Sequence, residues 1–115
     1  MNEVSMRRME SHIIELISTL IMQGTIKDPR LSRFISISGI KLAKDLSFAK
    51  VFISTFEDED SLDMSVMILN NAAGLIQSRI GKNLKTRYTP KLLFVKDVSI
   101  RDGIEINKKI KDLKN

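Results

Sequence analysis

Residues 62–84, LDMSVMILNNAAGLIQSRIGKNL, decide the fold. Apolar residues recur through them at spacings of three and four, the period of a helix packed on one side, yet Asn71-Ala72-Ala73-Gly74 stands in the middle. A glycine inside a helix costs roughly 1 kcal/mol relative to alanine and frees the backbone to turn sharply. The stretch therefore predicts two helices meeting at a kink rather than one long rod. In the first, Leu62, Val66, Leu69 and Ala73 share a face. In the second, Ile76, Ile80 and Leu84 do so, with Arg79, Lys82 and Lys85 largely elsewhere. Charge in this region is one-signed. No carboxylate occurs between Asp63 and Asp97, whereas Arg79, Lys82, Lys85, Arg87, Lys91 and Lys96 all fall there. The acids gather just upstream, at Glu57, Asp58, Glu59, Asp60 and Asp63. Asp58 or Asp60 can cap the first of the two helices, and carboxylates in a first turn favour the positive end of its dipole. A kinked helix pair with a basic exit is a surface for a polyanion, and nucleic acid is the expected partner.

On the N-terminal side, Met6, Met9, Ile13, Leu16, Ile17, Leu20 and Ile21 recur at helical spacing, and Gly24 stands where a helix C-cap is expected. Lys27-Asp28-Pro29-Arg30 reads as a turn, because proline fixes its own torsion and pushes Asp28 out of the helical region. Ile35 and Ile37 alternate with Ser36 and Ser38, but parity flips after Gly39 to Ile40 and Leu42, predicting a first strand with a glycine bulge. Lys44-Asp45 makes a tight turn. Phe48, Phe52 and Phe56 then take one parity, and Ala49, Val51 and Ile53 the other, so the second strand is expected to be apolar on both faces and central in its sheet. Beyond the kinked pair, Pro90 opens a last strand from Lys91 to Val98. Ser99 with Asp102 can cap a final helix carrying Ile106, Ile110 and Leu113 on one face. A hairpin followed by a helical crossover makes strands two and three parallel if they are neighbours, with the helices on one face.

The chain of 115 residues is expected to form a single domain over 1–115, large enough to bury about two thirds of the surface of its unfolded form. It contains no cysteine, so it has neither a disulfide framework nor a thiolate metal site, and the cytoplasm is the expected compartment. No signal peptide and no run of 18 apolar residues is present, so no membrane role is expected. The formal charge of +5 is modest, and its segregation is the stronger clue.

Motifs for chemistry are sparse. Gly81-Lys82 invites a phosphate-loop reading, but that motif needs glycine at position 76 and Ser or Thr at 83, where the chain has Ile76 and Asn83. His12, the one histidine, has no fellow ligands and reads as a solvent-facing or boundary residue. The acidic block lacks the glycine and distal glutamate of a calcium loop. No nucleophile and base stand at recognisable spacing. Catalysis, a cofactor, a metal and a small-molecule substrate are therefore not expected, and a monomer is. The five Phe fall mostly on strand positions and read as core, so backbone and shape recognition of RNA is favoured over base stacking.

The order helix, strand, strand, helix, helix, strand is that of the type II KH fold, an α+β architecture with helices on one face of a three-stranded mixed sheet. The Gly-x-x-Gly loop by which KH domains clamp single-stranded RNA is replaced here by Ala72-Ala73-Gly74. That interruption resembles the bacterial ribosome-binding factor A family. Residues 26–31, the hairpin 44–54, Arg87-Tyr88-Thr89-Pro90 with Leu92 and Phe94, and then Asp97, Ser99 and Gly103 follow its pattern in order, over about residues 6–110. The resemblance implies a non-enzymatic assembly factor that binds the free small ribosomal subunit and its RNA, assists late maturation of that RNA, and matters most in the cold. It implies RNA contacts at Ala72, Gly74, Arg79, Lys82, Lys85 and Arg87. Gln77 departs from a common basic residue and Lys91 from a common acidic one. Two other readings compete: a free-standing KH-like binder of single-stranded RNA, and a protein-interaction domain that ignores RNA.

Overall fold

The computed structural model describes residues 3–84 and 88–97. Helix α1 spans Glu3–Met22 and ends in a Schellman motif. Gly24 takes φ of 73°, its N–H bonds the Ile21 carbonyl, and the Thr25 N–H bonds the Leu20 carbonyl. The positive φ is why glycine is used here. Strand β1, Ile35–Leu42, pairs antiparallel with β2, Phe48–Thr55, and the register shifts between Ile37 and Gly39, the bulge expected from the parity flip.

Helix α2, Glu59–Asn71, begins at Asp58, whose carboxylate accepts the Ser61 N–H at 2.7 Å; Glu59 and Asp60 occupy its first turn. Of the two expected caps, Asp58 is the one used. Helix α3, Ala73–Gly81, follows after the single residue Ala72, and β3, Lys91–Lys96, runs parallel to β2. The sheet order β1-β2-β3 makes β2 central, and all the helix contacts with it lie on one face. The molecule has the type II KH-like fold. The expected C-terminal helix, with Ile106, Ile110 and Leu113, lies outside the described residues.

The core joins Met9, Ile13 and Ile17 of α1 to Val51 and Ile53 of β2, Leu62 and Leu69 of α2, Ile76 and Ile80 of α3, and Phe94 of β3. Two expectations need correction. The buried stripe of α2 is Leu62, Ser65, Ile68 and Leu69, while Val66 is only partly covered. Ser65 is tolerated in the core because its hydroxyl accepts the Ser32 N–H at 3.1 Å. Secondly, β2 is apolar on both faces in composition but buried on one. Ala49, Val51 and Ile53 face the helices, whereas Phe48 and Phe52 stand on the open side.

Both sheet edges are met by a polar helix side chain. Asn70 of α2 donates its amide to the Phe94 carbonyl and accepts the Phe94 N–H, each at 2.8 Å. Glu10 of α1 accepts the Leu42 N–H at 2.9 Å. These bonds occupy backbone groups that an edge strand would otherwise offer to another chain.

Candidate nucleic-acid interface

The helix break is made by Ala72, with φ −93° and ψ 2°, which lets its N–H bond the Ile68 carbonyl while its own carbonyl receives the Ile76 N–H. Gly74 is not the hinge. It lies in the first turn of α3 without positive φ, and a Cβ built there meets nothing within 4 Å. The fold does not require a glycine here, and the exposed backbone at the start of α3 is left bare. That separates two roles which the sequence joined, since Ala72 turns the chain and Gly74 keeps its surface bare.

The segment after α1 packs against this break. Lys27, Asp28 and Pro29 line one shallow depression together with Asn71, Ala72 and Leu75, although the two stretches lie far apart in sequence. The segment is pinned from within. Asp28 accepts Arg30 Nη2 at 2.7 Å, Nε at 3.0 Å and the Arg30 N–H at 2.9 Å. The side-chain bonds, then the backbone bond, lower the Asp28 pKa to about 2, and the same pairing raises that of Arg30. Arg30 thus has its charge answered locally, which leaves Lys27 as the exposed cation of this rim.

Along α3, Gly74, Ser78, Gly81 and Lys82 share a second shallow depression with Gln77 and Thr89. Arg79 projects on another side, into a groove between α1 and α3 with His12, Glu15 and Asn83. Arg79, Lys82 and His12 are all exposed. Of the sequence-predicted contacts, Gly74 and Lys82 therefore fall on one stripe, Ala72 on the loop-facing side and Arg79 on the α1 side. Lys85 and Arg87 lie outside the described residues.

The carboxylate-free window is continuous in sequence but divided in space. Lys96 reaches back to Glu59 at 3.0 Å and Asp63 at 3.1 Å on α2, and those bonds raise its pKa. It serves to fasten β3 to the acidic block. Lys91 stands on the open sheet face. Sequence reasoning did not select Lys27, Asn71 and Leu75. The signal available was that residues 26–31 and the helix break both follow one family pattern, which does not say that they touch.

A family model described as ribosome-binding factor A matches residues 5–110. A Borreliella burgdorferi protein of that name is 47% identical over 106 residues, which is 92% of this chain and 88% of its own length. The solution structure of a Thermotoga maritima protein described as a ribosome binding factor A superposes with a TM-score of 0.70 at 32% identity, over 77% of this chain and 83% of that one. A Thermus thermophilus ribosome binding factor A homology model, fitted into a cryo-EM map of a 30S complex, gives a TM-score of 0.53 at 21% identity. That match covers 75% of this chain and 96% of the other, and it speaks for the fold alone.

Proposed function

We propose a function from one premise: the chain belongs to the ribosome-binding factor A family. It acts without catalysis, as an assembly factor that binds the free small ribosomal subunit in the cytoplasm and assists late maturation of its RNA, with the greatest effect on growth in the cold. The observation that carries this reading is the meeting of the segment after α1 with Ala72 in one depression, beside a second that runs from Gly74 along α3 to the exposed Lys82. Ribosomal RNA lies against this surface through its phosphates. Ala72 sets the angle of α3, Gly74 admits the backbone of the RNA, and Lys82 and Arg79 supply charge on its two sides, continued by Lys85 and Arg87. Shared membership of the family, one of whose Thermus thermophilus members has been fitted into a map of a 30S complex, supports a small-subunit partner.

The test is co-sedimentation of the double variant Arg79→Glu/Lys82→Glu with purified free small subunits and with assembled ribosomes. Both side chains are exposed, so each substitution is expected to alter stability by less than about half a kcal/mol. The parent chain sediments with free subunits and the variant does not, at an unchanged thermal midpoint. A folded variant that sediments like the parent removes α3 from the interface.

A further inference from the structure

The proposed function makes no use of the sheet face turned away from the helices. Of the five phenylalanines only Phe94 is buried. Phe48 is 46% exposed on the open face, as is Leu93 of β3. Phe52 lies over the bulge residue Gly39, where a Cβ would sit 3.8 Å from its ring. Phe34 and Phe56 keep the same parity just beyond the paired residues and are 66% and 92% exposed.

Lysines are interleaved with these rings. The register sets Lys41 directly opposite Lys50, Lys50 beside Leu93, and Phe48 beside Lys91. Like charges directly opposed across a sheet destabilise it. Among the described residues, the ion pairs are Arg7–Glu3, Arg30–Asp28 and Lys96 with Glu59 and Asp63, so none relieves these three lysines. The acid beyond β3, Asp97, accepts the Ser38 hydroxyl at 2.6 Å.

An exposed ring, Phe48, and a half-buried one, Phe52, that flank an unrelieved cation fit one class of ligand better than others. A second copy of this chain would bring its own lysines against these. A single-stranded nucleic acid offers base faces to the rings and phosphates to the ammonium groups, and such stacking tolerates any base. Phe48 and Phe52 lie four residues apart on β2, about 13 Å along the strand, with Lys50 between them. We propose that this open face binds an unpaired stretch of RNA, with bases stacked on Phe48 and Phe52 and the two intervening phosphates held by Lys50 and Lys41. The inference rests on the preceding reading only in taking RNA as the partner, and its surface is separate from the helix break.

The experiment uses the full chain and a fluorescent ten-nucleotide oligouridylate, followed by anisotropy. The parent binds it. Phe48→Leu, which keeps an apolar side chain on the face, binds about tenfold more weakly or worse, whereas Phe48→Tyr retains affinity. Lys41→Gln/Lys50→Gln makes the log-log salt slope shallower by about one to one and a half, as expected for the loss of two phosphate contacts on a single strand. Arg79→Glu/Lys82→Glu changes the oligonucleotide affinity by no more than about twofold near physiological salt, where charges farther apart than about 8 Å are screened. The two surfaces can therefore fail separately. The proposal is overturned if the parent ignores the oligonucleotide, or if folded Phe48→Leu binds as tightly as Phe48→Tyr.

Discussion

At the scale of single residues, glycines that look alike do different work. Gly24 is read correctly from sequence because a cap glycine follows an apolar helical period, and its φ of 73° shows the reason. Gly81 is not readable in this way. A Cβ there would lie 2.6 Å from Thr89 Oγ1, so the end of α3 and the residue before Pro90 come together only across a bare backbone. Gly81→Ala gains up to about 1 kcal/mol of helix propensity but must displace a stiff β-branched side chain, and such overpacking costs about 1–3 kcal/mol. We expect a net loss of about 1 kcal/mol by chemical denaturation, turning neutral or favourable in a Thr89→Ala background. An equal loss in both backgrounds would place the cause elsewhere. The sequence hides this contact because nothing periodic links positions 81 and 89. Leu46 is hidden for a similar reason. The turn after Lys44-Asp45 was legible, but not that a leucine would take φ of 63° there, a conformation tolerated where Leu46 also packs on the core.

At the scale of elements, order and type were legible throughout the described residues, because helical and strand periods differ and each is punctuated by Gly, Pro or Asp. Phase was less so. The reading of α2 put Val66 in the buried stripe and left Ser65 out of it, since pattern alone cannot see the Ser32 N–H that satisfies a buried hydroxyl. Asn70 and Asn71 likewise look interchangeable, yet only Asn70 reaches Phe94. Asn70→Ala leaves a backbone donor and acceptor of β3 without that amide. Unpaired buried groups cost about 1–3 kcal/mol each, so for this part-buried pair we expect about 2 kcal/mol in all. Asn71→Ala, which changes an exposed side chain, should stay within about half a kcal/mol. Equal effects of the two in a denaturant titration would refute the edge clamp.

At the scale of the whole molecule, the charge pattern announced a polyanionic partner but not where it sits. A window of six cations becomes an exposed group on α3 and another just beyond its end, one on the open sheet face, one fastened to α2, and two outside the described residues. Linear proximity says little across a crossover, which carries the chain back to the opposite end of the sheet. If phosphate contacts dominate subunit binding, the apparent affinity should fall with salt at a log-log slope of roughly −3 to −5, for about four to six phosphates. Co-sedimentation that ignores salt would exclude an electrostatic interface.

The broken crossover also governs how the chain folds. Its two helices have 13 and 9 residues, and isolated helices shorter than about 12–15 residues are marginal in water. Neither half is a preformed strut. The β1–β2 hairpin can close locally, but the partnership of β2 with β3 must wait until both short helices and the turn at Ala72 have found the sheet. Completion of the sheet and ordering of the bend at Ala72 are therefore one cooperative event. A partner that grips the bend also holds the last strand in register.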